Sequence, residues 1–264
     1  NQELAHIFKS WNDGELHSYL IGITAGIFRE ADDLADGELI DRVRDSAKQK
    51  GTGRWASIEA LKQGVDISMI TSACTARIMS NHLDEREKAW QLIHSPAVGL
   101  SPDKESFAAM VREALYTGKI IAYAQGFSLM QDASRLYGWN LDLGKIASIF
   151  RAGCIIQAVF LNDITHAFEA EPKPESLIFD GFFLSRINEH QDSLRQAVST
   201  GVMNGLPIPA LCNAVSYLDE FRAKAAGANL IQAQRDCFGA HTYERTDREG
   251  VFHHEWRWAN DNQH

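Results

Sequence analysis

Basic charge, paired cysteines and long apolar runs are all scarce in this chain of 264 residues. Lys and Arg number 26 against 35 Asp and Glu, and a net charge of −9 gives no broad electrostatic grip on a nucleic-acid backbone. Any anion must be held locally. The four cysteines, Cys74, Cys154, Cys212 and Cys237, lie far apart with no CxxC pair. That excludes zinc-finger spacing and suits a reducing compartment. Apolar runs such as Cys154-Ile155-Ile156 and Ala158-Val159-Phe160-Leu161 break well before the ~20 apolar positions of a bilayer span. Asn1-Gln2-Glu3-Leu4 carries no basic stretch followed by an apolar one. A cytoplasmic protein with no membrane and no nucleic-acid partner is expected. There is no GxSxG and no cysteine in an active-site signature, so nucleophilic hydrolysis has no support. His253-His254-Glu255 lacks the i, i+4 spacing of a zinc protease. It reads as a solvated or partner-facing strip, and no metal is expected.

With 45% hydrophobic residues, 23% charged, 19 Gly and 6 Pro, the chain is an ordinary globular one, long enough for a sizeable core. Apolar residues recur at helical spacing nearly everywhere and strand-like alternation is hard to find, so an all-α fold is expected. Leu16, Leu20, Ile23 and Ile27 fall on one face, and Ile146, Ile149, Phe150 and Gly153 on another. Ser101-Pro102-Asp103 predicts the start of a long helix running to about residue 136: Ser101 as cap, Pro102 at the first helical position, Asp103 against the dipole. From Gly118 to Met130 this helix is apolar on almost every side, which marks it as the core column. A further helix is expected from about Phe182 to Val202, ended by Asn204-Gly205, with Pro207 and Pro209 introducing a shorter one. Turns fall at Asp32-Asp33 and Asp36-Gly37, and a loop at Glu171-Pro172-Lys173-Pro174. Tyr123 and Trp139 read as core.

Glu3-Leu4-Ala5-His6-Ile7-Phe8-Lys9 resembles Lys145-Ile146-Ala147-Ser148-Ile149-Phe150-Arg151, and Ile23-Thr24 matches Ile164-Thr165 at an offset one residue shorter. Two copies of one helical unit are therefore expected. The second copy is preceded by the long helix; the first has no counterpart, so its unit is expected to be truncated at its amino end.

Lys50-Gly51-Thr52-Gly53-Arg54-Trp55 is the most distinctive loop. Two glycines let backbone N–H groups converge, and Lys50 and Arg54 add positive charge, so a phosphate or carboxylate fits there. A helix connector with solvated basic residues fits the same letters. Arg77, in an apolar stretch, calls for a partner, either a core-edge carboxylate or a ligand anion. Arg235 and His241 bracket a helix end at Gly239 and can offer a donor fork and a titratable ring to a phosphorylated ligand. An ion pair of Arg235 with Asp236 or Glu244, and a helix-end cap at His241, are the plainer readings. The aromatic stretch Val251–Trp258 has little chain after it, and docking on a second copy of the chain is expected of it, giving a homodimer.

The sequence resembles the C-terminal helical domain of the 6-phosphogluconate dehydrogenases, nearly end to end. The markers are Asn12-Asp13-Gly14-Glu15-Leu16, Gln49–Trp55, Ala76-Arg77, Arg151–Ile156, Ala197–Val202, Leu230–Asp236 and Phe238–Tyr243. The resemblance implies a substrate-binding and dimerisation domain over residues 1–240, with residues 241–264 as a tail exchanged between subunits. It implies that Lys50 and Arg77 contact 6-phosphogluconate, and that Arg235 and His241 reach the neighbouring subunit's site. It further implies NADP-dependent oxidation and decarboxylation to ribulose 5-phosphate. The nucleotide domain and the catalytic Lys and Glu belong to a preceding segment, so no catalytic residue is expected in this chain and the chain alone is expected to be inactive. Cys237 stands where Tyr is usual and Gln157 where Arg is common. The alternative is a non-catalytic helical module for dimerisation or phospho-sugar binding.

Overall fold

The structure, a computed structural model, describes residues 1–96, 99 and 103–256. It falls into two compact units, Asn1–Tyr217 and Leu218–His264.

In the first unit the helices are α1 (Gln2–Asn12), α2 (Tyr19–Ile27), α3 (Thr52–Gln63), α4 (Ser68–Ser80), α5 (Leu83–Leu92), α6 (Lys104–Tyr137), α7 (Leu143–Ile149), α8 (Leu161–Glu169) and α9 (Gly181–Met203), followed by α10 (Pro209–Arg222), which runs across the boundary. The expected core column is α6. Ile120, Ile121 and Ala124 on it have no exposure, and it lies along α9, α4 and α7. Asp103 caps it by accepting the Ser106 N–H at 2.9 Å, and Gly138 ends it at φ 67° with its N–H on Ser134 O. The predicted cap Ser101 and Pro102 lie outside the described residues. Asp180 caps α9 by accepting from the N–H groups of Phe182 and Phe183, and Gly205 (φ 68°) ends the segment that follows it.

Two expected faces are shorter than the spacing suggests. Leu16 is buried but precedes α2, which starts only after Ser18, whose hydroxyl accepts the Ile21 N–H at 3.3 Å. Gly153 follows the end of α7 at φ 68°, and Ile149 is exposed. The pairs α1–α2 and α7–α8 are joined by an antiparallel bridge between Ser18 and Ala158: Tyr19 N–H donates to Gln157 O at 3.0 Å and Val159 N–H to His17 O at 3.1 Å. Tyr123 is part-buried, its hydroxyl on Ile156 O at 3.0 Å. Trp139 is not core: it is exposed and stacks on Tyr137.

The second unit holds α11 (Ala228–Gly239) and an antiparallel hairpin of β1 (Tyr243–Glu244) and β2 (Val251–Phe252). Among the described residues no helix is long and apolar enough to cross a membrane.

Candidate anion-binding site

The Lys50 loop is built from both sides. Gly51, at φ 103°, is the N-cap of α3, and no side chain caps that end. The left-handed backbone here requires glycine. Its turn leaves the first N–H groups of α3 at an uncapped positive dipole end. Arg54 folds back, its Nη2 within 3.5 Å of where a Gly51 Cβ would stand. Gly53 has a different reason to be glycine: a Cβ there would lie 2.4 Å from Cys74 Sγ on α4. The two helices therefore touch at Gly53 and Cys74, and Arg77 lies one turn beyond that contact.

The segment before Lys50 is tied to the same end of α4. Ala47 N–H donates to Ser80 Oγ at 3.0 Å, Asn81 Nδ2 donates to Ala47 O at 3.1 Å, and Ser46 Oγ donates to Asn81 Oδ1 at 2.7 Å. Arg86 Nη2 pairs with Asp45 at 2.6 Å. Asn81 also donates to Arg77 O at 2.6 Å. Lys50 and Arg77 are thus delivered to one end of the α3–α4 pair, and both are exposed. Arg77 sits in the last turn of α4, where a cation suits the helix dipole, so its apolar neighbours demand no buried partner.

In the second unit Arg235 lies in the last turns of α11 and His241 just beyond its carboxyl end. Ala240 (φ 49°) and Thr242 (φ 62°) turn the chain, and His241 packs over Gly239, where a Cβ would meet its ring at 2.9 Å. Gln232 ties Arg235 to the turn after α11: its Oε1 accepts from Arg235 Nη1 at 3.2 Å and its Nε2 donates to Thr242 O at 2.6 Å. Both side chains are exposed.

The residue missed from the sequence is Asp236. It is fully buried and does not pair with Arg235. It accepts from Thr242 N–H at 3.0 Å, His253 Nδ1 at 2.8 Å, His254 N–H at 3.1 Å and Trp256 Nε1 at 2.9 Å. Burial pushes its carboxyl up, but the bonds from His253, the His254 N–H and Trp256 outweigh it and hold the group well below the usual carboxylate range. His253 is held through its ring nitrogen and His254 through its backbone N–H, while His253, His254 and Glu255 all remain exposed, as a solvated strip requires. As far as Trp256, the aromatic tail folds back on α11; Trp258 lies outside the described residues. Among the described residues no cluster of three or more His, Cys, Asp and Glu is placed to hold a metal.

Among the described residues the fold is all-α apart from the short two-stranded hairpin. Residues 1–256 match the family described as 6-phosphogluconate dehydrogenase, C-terminal domain. Among curated relatives, a decarboxylating 6-phosphogluconate dehydrogenase of Lactococcus lactis subsp. lactis (strain IL1403) is 47% identical over 97% of this chain and 54% of its own length. One from Staphylococcus aureus (strain N315) is 46% identical over the same shares. A solved Plasmodium falciparum 6-phosphogluconate dehydrogenase, described as apo, with its cofactor NADP+ and with its substrate 6-phosphogluconate, matches with TM-score 0.93 and 40% identity, over 97% of this chain and 55% of that one. This chain belongs to the family of 6-phosphogluconate dehydrogenase C-terminal domains. It spans about half the length of the relatives it matches.

Proposed function

We propose that this chain is the substrate-binding and dimerisation part of a cytoplasmic, NADP-dependent enzyme that oxidises 6-phosphogluconate and releases carbon dioxide to give ribulose 5-phosphate. The observation that carries this reading is the joint delivery of Lys50 and Arg77 to one end of the α3–α4 pair in a domain 47% identical to such enzymes. The substrate presents a phosphate and a carboxylate. The Lys50 ammonium supplies a point charge, the Arg77 guanidinium a two-pronged donor, and the uncapped start of α3 backbone N–H groups.

Arg235 and His241 complete the grip from a second copy of the chain. Support for such a dimer comes from α11, where Leu230, Ile231 and Phe238 are 63%, 61% and 76% exposed beside Arg235. The exchanged piece is then the α11–hairpin assembly, with residues 241–256 carried on it through Asp236. In the first unit α6 supports α3 and α4, the helices from which Lys50 and Arg77 are presented.

Among the described residues the only sheet is the two-stranded hairpin, and no parallel sheet edge offers a dinucleotide crevice. The NADP site is assigned mainly to the half of the polypeptide preceding this domain in the relatives. The role of this chain is to fix the phosphate and carboxylate so that the carbon to be oxidised is held still.

Calorimetric titration with 6-phosphogluconate tests the reading. Saturable binding by this chain is expected, with no dehydrogenase activity from the chain alone. Arg235→Ala should weaken binding by ~1.5–3 kcal/mol, the range for a charge-assisted hydrogen bond. An unchanged dissociation constant for both Arg235→Ala and Arg77→Ala overturns it.

A further inference from the structure

Three of the four anchors assigned to the sugar acid can only donate. Lys50, Arg77 and Arg235 carry N–H groups and no lone pair, which suits a phosphate and a carboxylate. The hydroxyl groups of the same ligand are left with one ring, His241, to donate to. The unit that bears Arg235 and His241 holds a second acceptor, which the grip described above does not use.

Asp236 and His253 form a carboxylate–imidazole pair. The carboxylate is fully buried, and His253 Nδ1 lies 2.8 Å from its Oδ1. Burial pushes the carboxyl up, but the bonds from His253, the His254 N–H and Trp256 hold it below the usual range, so it is ionised at neutral pH. An ionised carboxylate has no hydrogen to give, so the hydrogen of this bond belongs to His253 Nδ1. In the neutral ring that makes the far nitrogen, Nε2, an acceptor. Among the described residues Nε2 makes no hydrogen bond, and the side chain is 44% exposed. A buried carboxylate that fixes one ring nitrogen and leaves the other unspent is the arrangement that aims a histidine at a ligand.

Two bonds tie this ring to the other anchors. The Oδ1 atom that holds His253 also accepts the Thr242 N–H at 3.0 Å, so His253 stands beside the turn that carries His241. Gln232, which accepts from Arg235 Nη1, donates to Thr242 O at 2.6 Å. Arg235, His241 and His253 are thus fastened to one turn of the chain.

We propose that His253 is a further substrate-binding residue, delivered with Arg235 and His241 by the second copy, and that its Nε2 accepts a hydrogen bond from a hydroxyl group of the sugar acid. The assignment rests on the substrate reading above and adds to it the group that recognises hydroxyls.

His253→Asn separates the two ends of the ring. The Asn Nδ2 stands in for the imidazole Nδ1, so the bond to Asp236 is kept while Nε2 is removed. The Trp256 indole N–H resonance should hold its position. In calorimetric titration the affinity for 6-phosphogluconate should fall about fivefold, the worth of one hydrogen bond. The analogue 6-phosphohexanoate, which has the phosphate and the carboxylate but no hydroxyl group, should bind parent and variant alike. Unchanged affinity for 6-phosphogluconate overturns the proposal. So does an equal loss for both ligands, the result a merely structural role would give; the ratio of the two losses decides even where the indole resonance moves. Arg235→Ala and Arg77→Ala, titrated alongside, keep the two readings apart. Loss of affinity in these with none in His253→Asn overturns the His253 assignment alone, and no loss in either overturns the substrate reading and this assignment with it.

Discussion

Asp236 shows how one carboxylate can organise a segment that has almost no secondary structure. Between Ala240 and Trp256 the regular structure consists of two two-residue strands, yet four donors from Thr242, His253, His254 and Trp256 converge on this side chain. Its folded-state carboxyl titrates below its unfolded value. Its contribution is therefore complete above about pH 4 and fades only as the pH falls through the lower folded value. The Trp256 indole N–H resonance should keep its bonded position from neutral pH to well below pH 4. Asp236→Asn should shift it at neutral pH, because the amide replaces one acceptor oxygen with a donor. An indole resonance indifferent to the substitution contradicts the assignment. Nothing in the sequence singles out Asp236. It follows Arg235 directly, and neighbours in sequence invite pairing on paper, whereas adjacent helix positions point about 100° apart. The bond partners come up to twenty residues later, through a turn with positive φ at Ala240 and Thr242, neither a residue type that announces one.

At the scale of elements, what the sequence predicts best is what its caps and glycines state locally. Helix α6 runs from its Asp103 cap to Gly138, and α9 from its Asp180 cap to Met203, close to the expected spans. Apolar spacing alone overran the shorter helices: Leu16 and Gly153 fall in phase with α2 and α7 by position while belonging to the loops beside them. The apolar stretch around Arg77 similarly suggested burial, but the residue lies in an exposed last turn. Tertiary capping left no local signal at all. At the start of α4 Asp66 Oδ1 accepts the Ser68 N–H at 2.6 Å, and Gln125, fully buried on α6, takes the next one, its Oε1 accepting the Met69 N–H at 3.0 Å and its Nε2 donating to Ser68 Oγ at 3.0 Å. Gln125→Ala should cost ~1–3 kcal/mol in urea unfolding, because it orphans a buried N–H. Gly53→Ala should cost about 1–3 kcal/mol by driving α3 off Cys74. The double change Gly53→Ala with Cys74→Ala should recover part of that loss, and a strictly additive pair speaks against the contact.

For the whole molecule, a net charge of −9 opposes an anionic ligand, so binding depends on a few cations being where they are needed. The proposed assembly places half of those anchors on each copy. Sedimentation at micromolar concentration should give a dimer, and Phe238→Asp on the exposed face of α11 should shift it toward monomer and weaken 6-phosphogluconate binding at the same time. A monomer that still binds at full affinity separates the two roles. The strap of residues 45–47, stitched to the end of α4, bears on this binding in another way. Because the backbone three residues before Lys50 is fastened to the helix that bears Arg77, the proposed binding would lose less backbone ordering entropy at this end than a free loop would.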